Sequence, residues 1–458
     1  VEEETQGYGE HFQKWAETDI ETTMLSHRNH PSIIQWSIGN EIEWTYPRNQ
    51  KATGFFDNMD WSGNYFWSKP PYSTEKIKSM LETLPKAKYD IGETAQKLAN
   101  WTRNYDTTRV VTANCILPSV SHLNGYAAAL DVVGYSYRQV LYEYGHENYP
   151  NKPIMGMENV PQYHEWKAVM DNPHIAGTFL WTGVEYMGEV RDEFPARSNG
   201  SGMLDLAGFP KPSYQMYKTL WTDEPHVYMT TNVYDDINYW GNRLYKIGEN
   251  LAVEEFEKDA WKQIVWGWQT VNEHWNYQKG DTVVVEVMSN CPQVELFLNE
   301  TSLGVKNRAD FADNILKWSV IYESGTLKAA GIRDEKTTVN FDYKTASEAA
   351  AIEVKIDKST LQANHYDVAH IEIQLLDENG NPTQHNRLIA FEISDNLRLL
   401  GVDNGSRMNA QPFQATQILT DKGRGLLIVQ AKDLVGKGEI LVKSEGLEEV
   451  RLGLEIFE

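Results

Sequence analysis

Two glutamates stand where a carboxylate can do chemistry. Glu41 closes the run Ser32-Ile33-Ile34-Gln35-Trp36-Ser37-Ile38-Gly39-Asn40-Glu41, and Glu158 closes Asn151-Lys152-Pro153-Ile154-Met155-Gly156-Met157-Glu158. Ser32 to Ile38 is β-branched and aromatic, too short for a helix and apolar enough for a strand buried on both faces. Pro31 ends whatever helix precedes it and biases His30 toward an extended conformation. Gly39 lets the chain turn, so Asn40 and Glu41 stand at the C-terminal end of the strand, where a parallel β/α barrel carries its catalytic side chains. A pair of carboxylates so placed can divide a reaction, one attacking as nucleophile while the other gives up and retrieves a proton. A lone Asn-Glu at a strand end is more often a solvated loop pair, so the surrounding string has to carry the argument.

That string, Asn29-His30-Pro31-Ser32-Ile33-Ile34-Gln35-Trp36-Ser37-Ile38-Gly39-Asn40-Glu41, closely resembles the acid/base signature of glycoside hydrolase family 2, the family of β-galactosidases, β-glucuronidases and β-mannosidases. The resemblance runs from about Gln13 to Trp221 and more loosely beyond. It implies that Glu41 is the proton donor at the end of the fourth barrel strand and Glu158 the nucleophile at the end of the seventh. The family often has a small polar residue before the nucleophile. Here Met157 stands there, and strand alternation puts its side chain on the opposite face. The resemblance also gives Asn40 a hydrogen bond to the sugar 2-hydroxyl, Tyr137 the orienting of the nucleophile, Trp181 the platform under the sugar, and His30 a hydroxyl contact. Without it, Tyr137 and Trp181 read as core residues and His30 as a loop histidine. No cofactor is implied, and no metal ligand is assigned.

Spacing tests the barrel independently. The two glutamates are 117 residues apart, whereas three βα units at roughly 31 residues each need about 93. The long segment 44–108, with Trp44, Tyr46, Phe55, Phe56, Trp61, Tyr65, Phe66 and Trp67, supplies the surplus; it reads as a substrate wall or as a self-packed subdomain. The carboxylates then face each other across the barrel mouth, about 5–5.5 Å apart if hydrolysis retains configuration. An ionised Glu158 would keep Glu41 protonated near neutral pH.

The elements that must hold them follow in order. Thr5 to Arg28 reads as an amphipathic helix with Phe12, Trp15, Ala16, Ile20, Met24 and Leu25 on its apolar side, and Ile91 to Asn104 as another helix. After the Ile33 strand come strands at Arg109–Ala113, Asp131–Tyr137, Pro153–Met157 and Ala176–Trp181, then a helix at Ser213–Trp221. The fold class expected is multidomain: a partial (β/α)8 TIM barrel, strands four to eight, over residues 1–225, followed by two all-β Ig-like sandwiches at 226–345 and 346–458. The second sandwich is joined through a linker at Thr345–Ala351. The chain starts at Val1 without a methionine, so the natural N-terminus is expected to lie elsewhere, and the missing N-terminal part of the same protein is an expected partner.

Composition narrows the ligand. A net charge of −23 argues against nucleic acid or an anionic membrane surface. Aromatics at 12% suit either large cores or stacking on sugar rings. Cys115 and Cys291 are the only cysteines and fall in different expected domains, against a disulfide framework. No apolar run approaches a membrane span. The expected partner is therefore an oligo- or polysaccharide substrate. The loop Arg197-Ser-Asn-Gly-Ser-Gly-Met-Leu-Asp205, continuing to Lys211, lacks the Asn-x-Lys tripeptide by which β-glucuronidases of the family bind a carboxylate, so a β-galactosidase is the leading expectation. A β-glucuronidase or β-mannosidase, or a carbohydrate-binding or structural fragment without activity, are the alternatives.

Overall fold

The computed structural model describes residues 11–54, 69–86, 88–190, 193–234, 238–239, 242–243, 245–255 and 271–458. Described residues up to Trp181 form one compact unit, and those from Thr182 onward a second. The aromatic residues Phe55 to Trp67, and Trp240, Trp261, Trp266 and Trp268 further on, lie outside the described residues.

The first unit is built on five strands: β1 (Gln35–Asn40), β2 (Val110–Cys115), β3 (Val132–Ser136), β4 (Ile154–Asn159) and β5 (Ile175–Leu180). They pair in chain order and all in parallel. The helices Ile91–Tyr105, Tyr142–Asn148 and Tyr163–Asp171 fall between consecutive strands, as parallel crossovers require. The core joins Val111, Ala113, Cys115, Val133, Tyr135 and Ile154 of the strands to Ala95, Ala99 and Tyr142 of the helices. Asp90 caps the helix Ile91–Tyr105 by accepting from the amides of Gly92 and Glu93, and Arg103 sits in its last turn.

Two expectations need adjusting. The first strand begins at Gln35, not Ser32, so Asn40 lies within it. The opening helix runs Phe12–His27 and buries only Phe12, Ala16 and Met24, at spacings of four and eight. Trp15 and Leu25, expected on its apolar side, are exposed. Residues 345–350, between the two modules, are held by hydrogen bonds. Asn276 grips Ala346, donating to its carbonyl at 2.6 Å and accepting from its amide at 3.1 Å, and Asp377 accepts from Ser347 N–H at 3.1 Å.

Asp106 shows how the sheet edge is held. Its Oδ2 accepts from Trp36 Nε1 at 3.0 Å and Arg109 Nη1 at 2.6 Å, and its Oδ1 from the Thr108 hydroxyl at 2.7 Å. Arg109 in turn donates to the carbonyls of Ile33 and His30, tying the entry of β1 to the start of β2. The Thr108 hydroxyl above all, with Trp36 and Arg109, holds the Asp106 carboxyl well below the usual carboxylate range. Asp106→Ala is expected to cost about 2–4 kcal/mol in urea unfolding of the full-length protein. Because the folded value is depressed, the stabilisation is complete above the ordinary Asp value near 4 and fades only as pH falls through the lower folded one. A loss that is the same at neutral and at strongly acidic pH would contradict this account.

The second unit is mainly antiparallel. Strands Ile315–Ile321, Thr282–Ser289 and Val227–Val233 form one sheet; Thr301–Asn307, Gln293–Leu298, Thr326–Arg333 and Lys336–Lys344 form another. Both sheets give inward residues, among them Met229, Val285, Trp318, Leu296 and Leu327, to one core. Alternation of apolar residues along each strand is what makes this two-layer packing possible. Residues 351–457 repeat the arrangement with sheets of four and five strands over a separate core. The helix Pro212–Trp221 belongs to this second unit.

Candidate active site

Both glutamates follow an irregularity in their strand. Ser37 pairs with Thr112 but Asn40 with Asn114, so β1 carries one extra residue just before Glu41. Tyr135 pairs with Gly156 but Ser136 with Glu158, which makes Met157 the extra residue of β4. Simple alternation therefore does not describe Met157; its side chain packs on Gly134, and its sulfur accepts from Gln35 Nε2 at 3.4 Å. A bulge of this kind re-aims the next side chain. At the β1 irregularity the backbone is crowded: a Cβ on Gly39 would stand 2.5 Å from the Tyr126 hydroxyl, which favours glycine there.

Glu41 adopts φ 50° and ψ 27°, and Tyr137 has φ 52°. Such left-handed backbone costs of order 1–3 kcal/mol for a non-glycine residue and persists where surroundings dictate it. Here the surroundings are visible: Glu41 N–H donates to the Asn114 carbonyl at 2.8 Å, and Tyr137 N–H to the Glu158 carbonyl at 2.7 Å.

The Glu158 carboxylate is buried and held at both oxygens. Tyr137 Oη donates to Oε1 at 2.7 Å, and Asn114 Nδ2 to Oε2 at 3.3 Å. Burial first, and then the charge of Glu158, push the Tyr137 hydroxyl well above its ordinary range, so it stays a donor. The charge of Glu41 acts on the same hydroxyl, which places both carboxylates within electrostatic reach of Tyr137. Glu41 itself is buried.

The other candidates divide. Asn40 ends β1 on its exposed side, one residue before Glu41. Trp181 follows β5 half-buried, and its amide donates to the Asn159 carbonyl at 2.9 Å, one residue past Glu158. His30 is not brought to this end. It precedes β1, is exposed, and has its ring 5.7 Å from that of His27. A six-residue strand at about 3.3 Å per residue separates it from Glu41. The expectation of a sugar contact there is corrected by strand direction alone.

The model for "Glycoside hydrolase family 2 C-terminal domain 5" matches residues 352–452, and that for "Domain of unknown function (DUF4982)" matches 280–339. A curated β-galactosidase of Bacteroides ovatus, BoGH2A, is 27% identical, over 98% of this chain and 52% of its own. The crystal structure of a glycosyl hydrolase family 2 member from Bacteroides cellulosilyticus superposes with TM-score 0.77 at 26% identity, covering 98% of this chain and 53% of that one. The chain is thus similar to members of glycoside hydrolase family 2 along nearly its whole length. A putative β-glucuronidase of Formosa agariphila is 24% identical over 86% of the chain and 36% of its own. The chain spans about half the length, or less, of these curated relatives.

Three polar residues at or near the site carry no mark in the sequence. Asn114 follows the expected strand Arg109–Ala113 with no mark of a role, yet it meets both Glu41 and Glu158. Glu43 is fully buried against Leu117 and Ser121. Glu165 is buried in the helix after β4, where burial drives its carboxyl well above the usual range. A carboxylate among loop or first-turn residues reads as solvated, and only the tertiary packing removes the water.

Proposed function

We propose that this chain carries the two catalytic carboxylates of a retaining exo-β-glycosidase that hydrolyses terminal β-D-galactosides through a covalent glycosyl-enzyme. The observation that carries the reading is the Glu158 carboxylate, oriented by Tyr137 and Asn114 with Glu41 within electrostatic range. Two directed hydrogen bonds fix a nucleophile's lone pairs without protonating it. In the first step a Glu158 oxygen bonds to the anomeric carbon as the glycosidic bond breaks, and the Glu41 proton passes to the departing oxygen. In the second, Glu41 takes a proton from water, which displaces Glu158. Asn40 would hold the 2-hydroxyl and Trp181 would stack under the sugar. The five parallel strands are read as strands four to eight of a (β/α)8 barrel, and the two-layer modules after Pro225 as Ig-like. An oligo- or polysaccharide end is the substrate, and an N-terminal part of the same protein the structural partner.

The choice of galactoside draws on the loop Arg197–Lys211. Lys211 Nζ is 3.0 Å from Glu185 Oε2 and donates to the Gly200 carbonyl at 2.8 Å. The Arg197 guanidinium lies 4.6 Å from the Phe413 ring centre and donates to the Gln411 carbonyl. Both cations are therefore engaged within their own unit, and the loop lacks the Asn-x-Lys tripeptide that marks β-glucuronidases of the family. A relative named a putative β-glucuronidase keeps the glucuronide as the second reading. Assaying aryl β-galactoside beside aryl β-glucuronide with the full-length protein separates the two. Following the first turnovers by NMR tests the mechanism: β-galactose is expected as the initial product, and initial release of the α-anomer would overturn the assignment of both carboxylates.

A further inference from the structure

Glu43 stands two residues after Glu41, in the turn Ile42–Thr45, and is fully buried. Its Oε1 accepts from the Leu117 amide at 2.6 Å and from the Ser121 hydroxyl at 3.4 Å. Its own carbonyl accepts from Asn49 Nδ2 at 3.2 Å. Leu117 lies two residues past β2, and β2 already receives Glu41 N–H at the Asn114 carbonyl while Asn114 Nδ2 reaches Glu158. The segments leaving β1 and β2 are thus tied twice, once at Glu41 and once beyond it at Glu43. The second tie sets the direction in which the chain leaves Glu41.

We propose that Glu43 is a positioning residue for Glu41: its buried carboxylate locks the turn after Glu41 onto the Leu117 amide, and its charge helps Glu41 keep the proton it must donate. The inference rests on the reading of Glu41 as acid/base. A neutral side chain would serve packing better, since an ionised carboxylate loses hydration when buried. Burial pushes Glu43 up to about 7, so its charge changes within the range where such an enzyme works. β2 presents the Cys115 thiol, pushed well above its ordinary range by burial first and then by the charge of Glu43, with a smaller contribution from Glu41. The helix Pro118–Ser121 presents the Ser121 hydroxyl, and on the helix Pro47–Thr53 the Arg48 guanidinium donates to the Leu81 carbonyl. Two residues apart at one turn and both buried, the two carboxylates share a low-dielectric neighbourhood.

The consequence has a sign. An ionised Glu43 disfavours a second negative charge on Glu41, so Glu41 holds its proton to higher pH. Glu43→Gln keeps the shape and the acceptor for Leu117 but removes the charge. In the full-length enzyme, the basic limb of kcat/KM for a glycoside with a poor leaving group should move down by about half a unit to one unit. An aryl glycoside with a good leaving group, which needs little protonation, should keep its limb. Glu43→Ala also removes the acceptor and should lower kcat on the poor substrate more than tenfold with KM little changed. Limbs that superimpose in wild type and Glu43→Gln would overturn the proposal, as would a Glu43→Ala enzyme that loses melting temperature while kcat stays put. Glu41→Gln, assayed in parallel, separates the causes of failure. If it does not discriminate between leaving groups, the acid/base reading itself is wrong; if it does while the Glu43→Gln limb stays fixed, only the role of Glu43 falls.

Discussion

Glu158→Gln is expected to abolish turnover of every substrate in the full-length enzyme, by about four orders of magnitude or more, because in the proposed mechanism Glu158 is the group that forms the glycosyl bond. The amide keeps the shape of the carboxylate, and Tyr137 and Asn114 remain beside it at the end of β4. The loss should therefore come without a change in fold, as circular dichroism would show. Glu41→Gln should behave differently. A good leaving group departs without a proton, so glycosylation of Glu158 by an activated aryl glycoside should survive, and the block moves to the second step, where water needs a base. Azide needs none. With Glu41→Ala, added azide should restore turnover and yield a glycosyl azide of β configuration. Equal loss on activated and unactivated substrates from the first turnover would move the acid/base role away from Glu41.

Much of this was legible because the punctuation is local. Pro31, Gly39 and Pro153 mark where strands can start and turn, and apolar runs between them give five strands whose edges shift by only a few residues. The two glutamates stand out because they close those runs. The bulges were not legible. Gly39 hints at one, but Met157 carries no mark of being an extra residue, and its place follows from pairing with β3. Asn114 was missed for a similar reason, since what makes it matter is the register that sets it opposite Asn40. His30 erred the other way. Motif membership suggested a role, while strand direction, readable from the order His30 then Gln35–Asn40, places it at the far end. The burial of Glu43 depends on Leu117 and Ser121, more than seventy residues on, and no local pattern encodes that.

The same sheet bears on what residues 1–458 can do when expressed alone. Among the described residues, β1 and β5 each pair on one side only. Beside those edges Ile34 is 63% and Phe179 is 42% exposed. In a (β/α)8 barrel these edges meet further strands, whose ends also furnish part of the sugar pocket. Unpaired edges with apolar neighbours favour association. Displacing a substrate by an ångström can cost about a hundredfold in rate, so a pocket built from five strands should position it poorly even with Glu41 and Glu158 in place. The expected result is that these residues alone hydrolyse aryl β-galactosides at least a hundredfold more slowly than the full-length protein and elute as oligomers on size exclusion. The two-layer modules from Val227 onward, each with its own core, should still unfold cooperatively. Full-length turnover from residues 1–458 alone would mean that the five strands complete the site without further ones, and that the barrel assignment has the wrong strand count.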